Sequence, residues 1–100
     1  MANRIELSGR LANPPMLRVT PAGTAVLSLV VDCGDQAGAL RMPIVMAGEP
    51  ARDLAPRLSA GLAVRASGAL RATPARSRAG AAALGVEVIA DAITLADVHG

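Results

Sequence analysis

Apolar and polar side chains alternate one by one along residues 4–11, with Ile5, Leu7, Gly9 and Leu11 on one side and Arg4, Glu6, Ser8 and Arg10 on the other. Successive side chains of a β-strand point to opposite faces, whereas an apolar helix face returns every three to four residues, so this pattern predicts a half-buried strand. The same period recurs in Ala25–Asp32, Leu40–Ala47 and Leu62–Arg71, and a last strand is predicted within Gly85–Leu95. In Ala25–Asp32, Leu27, Leu29 and Val31 alternate with Val26 and Val30, which predicts burial on both faces. Met16–Thr20 is expected to be extended as well. The fold class that follows is all-β.

Between these segments lie residues that interrupt a ladder. Proline has no N–H to donate, so Asn13-Pro14-Pro15 ends the first strand. Thr20-Pro21-Ala22-Gly23 favours a type I turn and implies a hairpin. Gly9 inside the first strand predicts a bulge or sharp bend, and Pro43 inside the third predicts an edge or bulged position. Residues 48–61 change period: Leu54 and Leu58 are four apart, Glu49 and Asp53 come early, Arg57 late, and Gly61 can close a helix that Pro56 keeps short or broken. Ala72–Leu84, Ala-rich with Pro74, Arg76, Ser77, Arg78 and Gly80, is predicted to be a long mobile loop between strands four and five. Three strands, a short helix and two strands is the element order of the OB-fold, a five-stranded Greek-key barrel whose sheet face and hairpin loops bind single strands. SH3-like and other small barrels remain alternatives on this pattern alone.

At 100 residues, 52 % of them hydrophobic, the chain fits one domain spanning 1–100 with one core. Its apolar runs are far shorter than the ~18 residues that suggest a membrane span. The alternating N-terminus lacks an apolar leader segment, so no secretory signal is expected and a cytoplasmic location is the default. Ten Arg, no Lys and eight Asp/Glu leave a net charge of +2, which permits a phosphate-backbone ligand without requiring one. The lone Cys33 excludes an intramolecular disulfide, and Cys33 with His99 falls short of the three or four ligands that zinc needs. Nothing in the sequence fixes His99 near Cys33 as a nucleophilic pair. No metal, cofactor or catalytic residue is expected, and the chain is read as a non-enzyme.

The segments Asn3-Arg4-Ile5-Glu6-Leu7-Ser8-Gly9-Arg10-Leu11, Arg18-Val19-Thr20-Pro21-Ala22-Gly23, Met42-Pro43-Ile44-Val45 followed by Gly48, and Ala90-Asp91-Ala92-Ile93-Thr94-Leu95 together resemble the primosomal replication protein N (PriB) family over nearly the whole chain. The first two segments also resemble bacterial single-stranded DNA-binding proteins (SSB). The absence here of a Gly/Pro-rich linker and acidic tip after the fifth strand makes PriB the expected match.

The resemblance implies a homodimer of OB-folds that acts in replication restart, binding single-stranded DNA and the helicase PriA and handing off to DnaT. It further implies a nucleic-acid-binding set. The basic position before the first turn corresponds to Arg18, and the family's lysine-bearing loop corresponds to the stretch with Arg71, Arg76 and Arg78. Arg41, in the third strand, is carried in the set with its role open. Arginine keeps the charge of lysine and adds a planar fork for phosphate oxygens. Two departures stand out: the family's aromatic before the third strand is replaced by Gly38-Ala39-Leu40, and the chain has no Phe, Trp or Tyr at all. Each base stack on an aromatic contributes ~1–3 kcal/mol in single-strand binders, so binding here is expected to be weak and salt-dependent. An interaction module with little intrinsic DNA affinity is the alternative. Arg65 is read as a solvated outward residue, and Met42 and Met46 as core fillers.

Overall fold

The computed structural model describes residues 2–34, 38–76 and 82–95, the side chains of 74–76 and 82–84 excepted. The elements run β1 (Ile5–Leu11), β2 (Met16–Val19), β3 (Ala25–Asp32), β4 (Arg41–Ala47), α1 (Glu49–Leu54) with a 3-10 turn at Ala55–Arg57, β5 (Ala63–Arg76) and β6 (Ala82–Leu95). They form one sheet in the order β1-β5-β6-β4-β3-β2, and a further β1–β3 pairing closes five of the strands into a ring. All pairings are antiparallel except β4 with β6. The expected all-β class is thus observed, with one short helix after the third long strand.

The ring closes because β3 has two partners along one edge. Met16–Val19 pair with Ser28–Ala25, whereas Leu11 and Arg10 pair with Val31 and Asp32. Pro14 and Pro15 lie where the chain passes from one pairing to the other, and Ala12 donates to the Val30 carbonyl at 2.8 Å. The crossing is tight at Gly9. A Cβ there would run into the Asp32 carbonyl oxygen and lie 2.8 Å from Val31 Cγ1. Gly9 keeps its place in the β1–β5 register, so of the bulge or sharp bend expected there no bulge is found, and Gly9 marks a close approach of two strands where β1 crosses from β5 to β3. The bulge is in the β5–β6 ladder instead: Ser67 pairs with Ala92 and Gly68 with Ala90, leaving Asp91 unpaired.

Alternation carries the core inward from every strand but β2. Leu11, Leu27, Leu29, Val31, Met42, Ile44, Met46, Val64, Ala66, Val88, Ala90 and Ile93 are buried, and Ala51, Leu54 and Leu58 from α1 and its extension join the same cluster. Met42 and Met46 are core residues, as read from the sequence. Burying a side chain of this size stabilises the fold by about 1.5–3 kcal/mol. Val26 and Val30 are only partly buried, so β3 is covered on its inner face and half-open on its outer one, short of the two-sided burial expected.

Two further expectations are corrected. Pro43 lies in a strand flanked on both sides, because its nitrogen points away from β3 and toward β6, just where the two-residue β4–β6 pairing (Ile44↔Val88, Val45↔Ile89) ends. No ladder bond is lost there. The stretch expected as a long loop is mostly strand, since pairing continues from Ala72↔Val86 to Arg76↔Ala82. This arm extends past the core cluster, which is why it shows no apolar alternation in sequence. No helix among the described residues is long and apolar enough to cross a membrane.

Candidate nucleic-acid interface

The ladders place the outward-facing residues of β2, β3, β4, β6 and β5 in rows. Met16 pairs with Ser28, Ser28 with Val45, Val45 with Ile89, and Ile89 with Ala69, which makes one row across five strands. One step along β3 in one direction lies Arg18 beside Val26 and Ala47. One step the other way, Val30 is beside Pro43, with Glu87 and its partner Arg71 further across. Asp32 and Arg41 end the face. Three of the five arginines predicted from sequence therefore sit on one outer face, around an apolar floor of Val26, Val30, Pro43, Val45 and Ile89. Asp32 lies six positions beyond Val26, so Arg18 and Arg41 stand roughly 20 Å apart along β3.

A groove of about 310 Å³ lies over the Val30, Pro43 and Val45 part of this floor, walled by Asn13, Pro14, Met16, Ser28 and Glu87 among others. Its walls are mainly apolar carbon with a few polar groups, as is usual for sites that take organic ligands.

The arginines are not electrostatically equivalent. Arg71 donates from Nε to Glu87 Oε1 at 3.0 Å and pairs with the same carboxylate through a second guanidinium nitrogen. Arg41 Nε lies 3.9 Å from Asp32 Oδ2, a loose and exposed pair. Arg18 makes no ion pair with a described residue. Arg76 is the last residue of β5, in register with Ala82, and its side chain lies outside the described residues, as does Arg78 altogether. Arg65 is outward on β5 beside Glu6 at 3.7 Å, on the part of the surface formed with β1. No protein-family model and no curated protein matches the chain.

The charge pattern of the sequence does not point to the floor residues. Their signal in sequence was the second, outward apolar set of β3, Val26 and Val30, which reads as burial until the register shows what lies over it. Cys33, partly buried at the end of β3, is a poor nucleophile: burial pushes its thiol up, and the charge of Asp32 pushes it further. No group of three or more His, Cys, Asp or Glu among the described residues is arranged to hold a metal.

Proposed function

We propose that this chain is an OB-fold binder of single-stranded DNA, an accessory protein of replication restart of the PriB type. The observation that carries the reading is the common face of Arg18, Arg41 and Arg71 around an apolar floor. The topology supports it: a five-strand ring with β4 and β6 parallel and a helix between β4 and β5 is compatible with the OB arrangement, in which this sheet face receives nucleic acid. Arginines at the rim hold phosphates while bases lie on the apolar floor, a contact that reads little sequence.

The test is a salt titration of a fluorescent oligo(dT). Each phosphate neutralised on a single strand contributes ~0.7 to the slope of log affinity against log salt. Replacing Arg18 and Arg41 together with Ala removes two rim contacts and flattens the slope by about one unit or more. A folded double variant with an unchanged slope overturns the assignment of this face. Replacing Arg76 and Arg78 together asks the same of the hairpin end.

PriA, DnaT and a second copy of the chain are the partners proposed with this function. For the homodimer, the edge of β1 from Ile5 to Ser8 is open among the described residues, where only Arg10 and Leu11 pair with β3. Sedimentation that finds only monomer at micromolar concentration counts against it.

A second reading, an interaction module with little affinity for DNA, is favoured by one specific feature. Arg71 and Arg41 already face carboxylates, and no aromatic offers a stack. Oligonucleotide binding that fails even at low salt makes this the better account.

A further inference from the structure

The sheet order ends at β2, so one edge of Met16–Val19 has no neighbour among the described residues. Thr20 donates to Thr24 at 2.9 Å and Ala12 to Val30, which fixes the phase of the β2–β3 ladder: Met16 and Arg18 turn their backbone groups to β3. The N–H and C=O of Leu17 and Val19 therefore point outward, with no partner among the described residues. All four side chains of the strand are exposed, Met16 by 67 %, Val19 by 56 % and Leu17 by 42 %. An open edge of this kind is usually blunted by shortness, by charge, by proline or by a bulge. The strand Met-Leu-Arg-Val is short and carries one charge, Arg18, but has no internal proline or bulge.

A second copy is a poor occupant. Two β2 edges related by a two-fold can pair antiparallel in three central registers. Centred on Leu17, Val19 faces Pro15 of the other copy, which has no N–H to give. Centred on Val19, Leu17 faces Pro21, with the same loss. Only the register centred on Arg18 makes every bond, and it sets Arg18 directly against its twin, where like charges destabilise a ladder. The two prolines and the arginine leave an edge open to other sequences and closed to its own.

We propose that the β2 edge adds a strand from another protein, an extended segment with a carboxylate opposite Arg18 and β-branched apolar residues opposite Leu17 and Val19. Backbone bonds to Leu17 and Val19 supply the docking, the apolar neighbours cover Leu17 and Val19, and Arg18, which has no ion pair with a described residue, selects the acidic position. This goes beyond the nucleic-acid reading and does not rest on it.

The probe is the peptide fluorescein-Ser-Thr-Val-Glu-Val-Thr-Ser-amide, titrated with the full chain, beside the same peptide with Lys in place of Glu. The acidic peptide is expected to bind saturably with Kd below ~1 mM and at least ~5-fold more tightly than the basic one. Arg18→Glu is expected to reverse that order. Val19→Pro removes an outward N–H and no bond to β3, so it should abolish peptide binding while circular dichroism stays as in the parent. Backbone amide shifts on titration should centre on Met16–Val19. Equal affinity for the two peptides, no saturation by about 1 mM, or shifts centred on the β1 edge each overturn the proposal. Should Val19→Pro fail to fold, the charge exchange at Arg18 still decides. Oligo(dT) binding by the parent is measured in parallel, so failure of the peptide and failure of the nucleic-acid reading are seen separately.

Discussion

Gly9 of β1 lies against the backbone of Asp32 with no room for a side chain between them: a Cβ would meet the Asp32 carbonyl oxygen and stand 2.8 Å from Val31 Cγ1. This contact is where β1 crosses from β5 to β3 and the ring closes. Gly9 is held by β5 on one side, and Asp32 is held by Arg41 of β4 on the other, so neither strand can move away cheaply. Gly9→Ala is expected to destabilise the fold by about 1–3 kcal/mol, as overpacking does. Ser8→Ala, one residue earlier on the exposed face, should be near neutral. Urea denaturation of the two variants checks the difference, and equal midpoints would show that the crossing has slack.

A second expected outcome concerns acid. Asp91, the bulged residue of β6, is bonded by Arg4 of the N-terminal segment and lies 3.5 Å from Ser67 Oγ. The Arg4 hydrogen bond holds its carboxyl below the usual carboxylate range, against a smaller opposing effect of desolvation. A depressed native pKa means that the stabilisation is complete above the unfolded value, near 3.9, and is lost as pH falls through the native one. Asp91→Asn is therefore expected to be less stable than the parent at neutral pH, with the two curves converging below about pH 4. Parallel stability curves across that range would remove the pair from the account.

The long strands were legible in sequence because each sends one face into a single core, and alternation records that directly: Leu27, Leu29 and Val31, or Met42, Ile44 and Met46. What alternation cannot record is register. Whether Val26 and Val30 are buried or form a floor depends on what the pairings Val26↔Ala47 and Val30↔Pro43 put beside them, and those are contacts between distant parts of the chain. The same holds for Pro43, whose tolerance follows from which neighbour its nitrogen faces. Residues 72–76 escaped as strand because a two-stranded arm beyond the core is held by backbone bonds, which leave no apolar pattern. Arg18 and Arg71 were reached by resemblance, and only the ladder shows that they share a face with Arg41.

The absence of aromatics gives a direct test of the floor. Val45 is central in the row from Met16 to Ala69 and partly exposed on the outer face. Val45→Tyr supplies a ring on which a base can stack, worth ~1–3 kcal/mol, so affinity for oligo(dT) is expected to rise about tenfold with little change in salt slope. Lys at the same position should raise the slope instead. A tyrosine variant that folds and binds no better places the bases elsewhere.

The last expected outcome turns on Glu87. Its carboxylate is 15 % exposed and holds Arg71, which is 60 % exposed, at the edge of the groove. If a phosphate reaches this edge, it must compete with Glu87 for the same guanidinium, and the negative charge repels it besides. Glu87→Gln keeps the shape and removes the charge. Oligonucleotide affinity at low salt is then expected to rise about 2–5-fold, the worth of an exposed ion pair, and the salt slope to steepen by up to ~0.7 as Arg71 takes on a full phosphate contact. Arg71→Ala in the same background should cancel both gains, which separates a freed Arg71 from a general loss of negative charge. Anisotropy titrations of the parent, the single variant and the double variant at three salt concentrations make the comparison. Gains that survive in the double variant would show that Arg71 faces solvent and that the single strand passes between Arg18 and Arg41 without it.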